Sequence, residues 1–157
     1  MPRIRIIVVD RTRSEFLREG EAYYLQRLRR YIPVEWIEVK PVKIQGNRPS
    51  KDIIALEGKR IQEKRDTNAH MVVLDGAGRQ YDSLELAEWI GGLFHRGVRS
   101  IEFIVGGPLG LSDEVSRISN EALSLSRLTL THEMCRLVLL EQLYRAMTIL
   151  RGEKYHK

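Results

Sequence analysis

The strongest constraint on how this chain folds is the repeated change of period in its apolar residues. Residues 4–9 (IRIIVV), 34–39 (VEWIEV), 70–75 (HMVVLD) and 101–105 (IEFIV) are short, strand-length runs. Between them, residues 14–30, 50–65 and 83–97 carry apolar groups at helical spacing, such as Phe16, Leu17, Tyr23, Tyr24 and Leu28, or Ile53, Ile54, Leu56/Glu57 and Ile61. Strands that alternate with helices predict an α/β fold, a mostly parallel sheet with helices on both faces. Ser50 reads as a helix cap, Gly97 as a helix stop, residues 40–49 as loop and residues 76–79 (GAGR) as a turn. A short helix is expected over 112–122, an extended stretch over 123–132 and the longest helix over 133–151.

No repeat or linker divides the 157 residues, so a single domain spanning 1–157 is expected. Cys135 is the single cysteine, which excludes an intrachain disulfide and a Cys-rich zinc framework and fits a reducing cytoplasm. The first apolar run is short and interrupted by Arg5, unlike a signal peptide. No run reaches the roughly 20 apolar residues of a membrane span. A cytoplasmic protein with no membrane partner is therefore expected. Lys and Arg exceed Asp and Glu in residues 1–66 and 127–157, and the balance reverses in 67–126. Two readings of those basic ends stay open, a face for a phosphate-rich partner such as RNA or ordinary solvated helix faces.

The last helix has only a narrow polar stripe, around Glu141, Arg145 and Thr148. A helix apolar over most of its girth is covered on more than one side, by a second subunit or by its own domain.

Three predicted strand ends carry distinctive residues: Leu74–Gly78, Gly106-Gly107-Pro108-Leu109-Gly110, and Ser124–Thr131. Parallel sheets bind ligands at the carboxyl ends of their strands, and glycine lets a ligand approach the backbone. Neither glycine loop is a dinucleotide fingerprint, which would follow the first strand, where Asp10-Arg11-Thr12-Arg13 stands. Taken alone, Gly-Gly-x-x-Gly is equally a tight strand-to-helix connection. In LSLSRLTLTH (123–132), Leu123 and Leu125 share one alternation and Leu128 and Leu130 the opposite one. The slip at Ser126-Arg127 implies a bulge or curved loop, facing a ligand or entering the next helix irregularly.

The run FIVGGPLGLSDEV, followed by LSLS, a His before the last helix, LLEQLYRA and a terminal YHK, closely resembles one family over the full length. This is the ribosomal large-subunit pseudouridine methyltransferase H family, small methyltransferases of the SPOUT class. The resemblance implies an α/β fold with a C-terminal trefoil knot, and a homodimer that uses S-adenosylmethionine to methylate N3 of a pseudouridine in large-subunit (23S) rRNA of the assembled ribosome. By position, it implies a cofactor site of Leu74, Gly106, Leu125, Ser126, Arg127, Leu128, Thr129 and Leu130, with Gly107 and Gly110 holding the loop close.

Methylating an imide nitrogen calls for alignment, proton handling and stabilisation of a developing oxyanion. His132, Arg136, Arg145, Tyr155 and His156 are the candidate catalytic residues, and no metal is required. His132 and Tyr155 are expected to position substrate or handle the proton, and Arg136 and Arg145 to contact phosphate or base. The resemblance places Tyr155 and His156 in a tail near the partner subunit's cofactor. For His132 a purely structural hydrogen bond, and for Tyr155 and His156 a frayed terminus, stay open as alternatives. Two positions depart from the family pattern: Asp10-Arg11 replaces a Gly-Lys pair, and Thr131 replaces a proline. Two rival functions remain, a SPOUT methyltransferase for another RNA nucleotide and a non-catalytic RNA-binding dimer.

Overall fold

The computed structural model describes residues 1–157. Its elements run β1 (Arg3–Val9), α1 (Glu15–Leu28), β2 (Val34–Val39), α2 (Ser50–Lys64), β3 (His70–Arg79), α3 (Ser83–His95), β4 (Ser100–Val105), α4 (Asp113–Ile118), β5 (Glu121–Leu123) and α5 (His132–Leu150). The five strands form one sheet in the order β2-β1-β4-β3-β5, and every pairing is parallel.

The central strands are apolar on both faces because helices cover both. On one side Ile4, Ile6, Val72, Ile101 and Phe103 pack with Leu28 of α1, Ile90 of α3 and Leu139, Leu140 and Leu143 of α5. On the other, Ile7, Val9, Val73 and Ile104 meet Ile61 of α2 and Val115 of α4. Each fully buried leucine of α5 stabilises the fold by about 2 kcal/mol. The α1–α5 crossing is tight: a Cβ on Gly20 would lie 2.9 Å from Leu137 Cδ1. Much of the girth of α5 is thus covered within the chain, although Leu137, Val138 and Tyr144 stay half-buried and Leu150 is exposed.

Several local expectations are corrected. Residues 76–79 belong to β3, whose register on β5 jumps so that Leu123 pairs with both Leu74 and Arg79. Only Arg79 of this segment pairs with β5, and residues 75–78 bulge between the two pairings of Leu123. The helix expected over 112–122 stops at Ile118, and residues 121–123 form β5 beside β3. Only Leu123 of the stretch 123–132 is strand. Pro49, not Ser50, precedes α2, with no side-chain cap. Asp82 caps α3 with a reciprocal Glu85 contact.

Candidate active site

The carboxyl ends of β3, β4 and β5 open onto a cavity of about 610 Å³. Leu74, Gly106, Gly107, Gly110 and the whole run from Leu125 to Leu130 line it, together with His132. Asp75, Gly76, Val105, Pro108, Leu111, Leu123, Thr131 and Cys135 complete the wall. The register slip in β3 folds its end toward the same space.

Backbone chemistry explains the loops. Gly110 adopts φ +90°, and its N–H donates to the Gly107 carbonyl at 3.0 Å, closing the turn. A Cβ on Gly106 would lie 2.9 Å from the Gly110 carbonyl carbon, so the loop closes only around glycine. The phase slip at Ser126-Arg127 is a hydroxyl-stabilised bend. Ser124 Oγ donates to the Ser126 carbonyl at 3.0 Å, and Leu128 N–H donates to Ser126 Oγ at 2.9 Å. The bend leaves Leu128 78% exposed at the cavity lip. The wall therefore combines leucine side chains, small residues and main-chain polar groups, a composition suited to a flat, partly apolar ligand.

His132 begins α5, whose first turn is capped by the Thr131 hydroxyl accepting from Met134 N–H at 3.1 Å. Thr131 thus supplies by hydrogen bonding the entry that a proline would fix by its ring. Burial, and then the positive charge of Arg136, lower the His132 pKa, which favours a neutral imidazole. Cys135, in the pocket wall, is half-buried, and burial raises its thiol pKa.

Arg136 departs from the role expected of it. It is 0% exposed, donating through Nη1 to Thr12 Oγ1 at 2.9 Å and through Nη2 to the Val9 carbonyl. Thr12 in turn donates to Glu21. The guanidinium ties α5 to β1 and α1 and is not a free RNA contact.

Arg145, Tyr155 and His156 form a separate cluster near the other end of α5. Arg145 lies thirteen positions after His132 on the same helix, about 20 Å along the axis. Glu141 accepts from Arg145 and, at 3.1 Å, from the Tyr155 hydroxyl. Arg145 lies 4.7 Å from the Tyr155 ring centre and donates to His156 Nδ1 at 3.2 Å. Burial, followed by hydrogen bonding with Tyr24 and the Glu141 charge, raises the Tyr155 pKa, so its phenol is a proton donor. The tail is therefore ordered, but one chain does not bring it to the cavity that holds His132.

A second cavity of about 150 Å³ escapes notice in the sequence. It shares Pro108 and His132 with the first and adds Asp10, Val42 and Glu57. The signal for Glu57 was present, because this acid sits in the buried stripe of α2 between Ile53 and Ile61. No cluster of three or more His, Cys, Asp or Glu residues is placed to hold a metal ion. No helix is long and apolar enough to cross a membrane.

An all-parallel sheet with a strand-end cavity framed by glycine and leucine loops defines an α/β protein with a ligand-binding site at its strand ends. Residues 2–156 match the family model described as "Predicted SPOUT methyltransferase". The chain belongs to the SPOUT methyltransferase family. It is 43% identical over 157 residues to the Ribosomal RNA large subunit methyltransferase H of Bacillus cytotoxicus, covering 98% of this chain and 99% of that one. The protein of the same name from Bacillus thuringiensis (strain Al Hakam) is 42% identical, with the same coverage. Among solved structures, a probable methyltransferase from Bordetella pertussis Tohama I superposes with a TM-score of 0.58 at 13% identity, over 93% of this chain and 95% of that one. A probable methylase family protein from Haemophilus influenzae Rd KW20 gives 0.57 at 15% identity, over 99% of this chain and 71% of that one. These two share the fold.

Proposed function

We propose that the protein methylates N3 of a pseudouridine in large-subunit rRNA, using S-adenosylmethionine and acting as a cytoplasmic homodimer on the assembled ribosome. The observation that carries this reading is the gathering of Leu74, Gly106 and residues 125–130 around one cavity with His132 at its edge. Full-length relatives named for rRNA large-subunit methylation support the substrate class. The S-adenosylmethionine sulfonium supplies an electrophilic methyl group.

Main-chain groups of residues 125–130 bind the adenine edge, while Leu74, Leu125 and Leu130 flank its rings. The closed Gly106–Gly110 turn brings backbone against the methionine portion. Neutral His132 accepts the imide proton, and proximity to the methyl group does most of the remaining work. Arg145, Tyr155 and His156 complete the site from the partner subunit. The roughly 20 Å between that cluster and His132 supports a composite site. So does the apolar surface of α1, where Phe16 is 68% and Tyr23 50% exposed, two helical turns apart on one face. The family knot would draw the chain after β5 past β3, in keeping with Gly78, where a Cβ would lie 2.6 Å from the Ala122 carbonyl carbon.

The test incubates the purified protein with labelled S-adenosylmethionine and ribosomes lacking the modification, then identifies the labelled nucleoside by mass. Label on N3 of pseudouridine is expected. Cofactor binding without rRNA labelling would redirect the reading to another RNA, and loss of both would leave an RNA-binding dimer.

A further inference from the structure

The second cavity lies between the glycine loop and α2, in contact with the first through Pro108 and His132. Most of its wall is apolar: Val9, Pro41, Val42, Ile44, Ile53, Pro108 and Leu109 contribute, and Asp10 and Glu57 are its only acids. Glu57 is 5% exposed. Its Oε2 accepts from Val42 N–H at 3.1 Å, while Oε1 takes no hydrogen bond within the chain and lies against Gly107, where a Cβ would come within 3.4 Å. Oε1 is therefore an acceptor within reach of solvent at the cavity wall, and a ligand N–H can engage it without displacing a partner from the chain. Burial, opposed by the Val42 N–H, raises the Glu57 pKa, and a ligand N–H on Oε1 favours the carboxylate form.

Asp10 adds a second peculiarity. It is the only non-glycine residue at positive φ, 72°, and it sits one residue past β1 at the cavity wall. Its carboxylate is already engaged by the Arg11 N–H and the Arg13 guanidinium, which leaves Glu57 as the free acceptor. Exposed Arg11, Lys40 and Lys43 each adjoin a lining residue in sequence, so cations stand outside the cavity and acids inside. That arrangement fits a nucleotide whose phosphates stay outside while its neutral planar base enters.

We propose that this cavity receives the target base and that Glu57 Oε1 accepts a hydrogen bond from the N1–H of pseudouridine. Pseudouridine is joined to ribose through C5, so N1 keeps its proton. Uridine presents only a C–H at that place. A buried acceptor aimed at N1–H therefore selects pseudouridine over uridine, leaves N3 free for the methyl group, and places the base beside His132. This inference rests on the proposed function and identifies the residue that makes its substrate choice.

The test compares kcat/KM on ribosomes carrying pseudouridine at the target with ribosomes from cells lacking the pseudouridine synthase for that position. Wild type is expected to prefer pseudouridine. Glu57→Gln keeps an oxygen for Val42 N–H but turns an amide N–H₂ toward the base, and should lower the preference by about 10- to 100-fold. The loss should fall on the pseudouridine substrate. An equal loss on both substrates, the mark of a group that only holds α2 or takes the N3 proton, overturns the proposal. Absence of any preference in the wild type overturns it too. If wild type methylates neither ribosome, the proposed function itself fails. Should Glu57→Gln not fold by thermal melting, Glu57→Asp, which withdraws the carboxylate by one methylene, is expected to lower the same ratio.

Discussion

Arg136 is the largest fully buried side chain, and its surroundings set both its own state and that of His132. Burial lowers its pKa and raises that of Glu21, so each partner resists its charge and is held by the network through Thr12. Removing one member leaves the other uncompensated. Arg136→Met is expected to cost about 3 kcal/mol in denaturant unfolding at neutral pH. Adding Glu21→Gln should restore part of that loss, whereas strictly additive costs would show that the two are uncoupled. A raised acid contributes stability that is present at low pH and lost as pH rises through its folded pKa. The deficit of Arg136→Met should therefore shrink on acidification toward the unfolded carboxylate value of 4.5.

His132 carries the second residue-scale prediction. Its pKa is lowered from 6.5 by burial and then by Arg136, so the neutral form able to accept a proton persists below pH 6.5. The acid limb of kcat/KM, which reports the free enzyme, should fall below that value in wild type. His132→Gln should remove the limb and reduce kcat by about 10²-fold or more. An unchanged pH profile would assign the ring a purely structural role.

At the scale of elements, α5 and α1 are joined by a cap that crosses the fold. Ser14 precedes α1 but makes no side-chain cap; the Glu133 carboxylate instead accepts from Arg13 N–H at 3.1 Å and Ser14 N–H at 3.0 Å. Burial alone would raise the Glu133 pKa, but these two bonds hold it below the ordinary value. Its contribution is present above the unfolded pKa and lost as pH falls through the folded one. Glu133→Ala should cost about 1 kcal/mol at pH 7, read as a shift in the denaturant midpoint, and the cost should vanish in acid. Such a bond joins residues more than a hundred positions apart, which explains why local sequence could not reveal it. The central strands 4–9 and 101–105 were legible because burial on both faces leaves them mostly apolar, and the edge strand 34–39 because apolar and acidic residues interleave at strand length. β5 was not, because three residues carry no period of their own and pair only once β3 is in place. In the site, glycine spacing and the broken alternation at Ser126 pointed to the cavity. The burial of Arg136 was hidden by its type, since arginines are mostly exposed; that of Glu57 was signalled only by its helical spacing between Ile53 and Ile61.

At the scale of the whole molecule, the separation of His132 from Arg145, Tyr155 and His156 makes a strong demand. If the reaction uses both groups, a single chain with this geometry holds only half of each site, and symmetry supplies the other half. Two variants isolate that requirement: His132→Gln, with its tail intact, and a chain truncated after Arg151, with His132 intact. Each alone is expected to be inactive toward ribosomes. When the two are mixed equally and allowed to exchange subunits, half of the dimers pair one variant with the other. In such a pair, the intact His132 of one chain meets the intact tail of its partner, while the second site lacks both. Activity should return to about a quarter of the wild-type value per subunit. If the tail served its own chain instead, every site in the mixture would lack one group and no activity would return. The recovered fraction therefore reads directly whether the C-terminal cluster works across the subunit boundary.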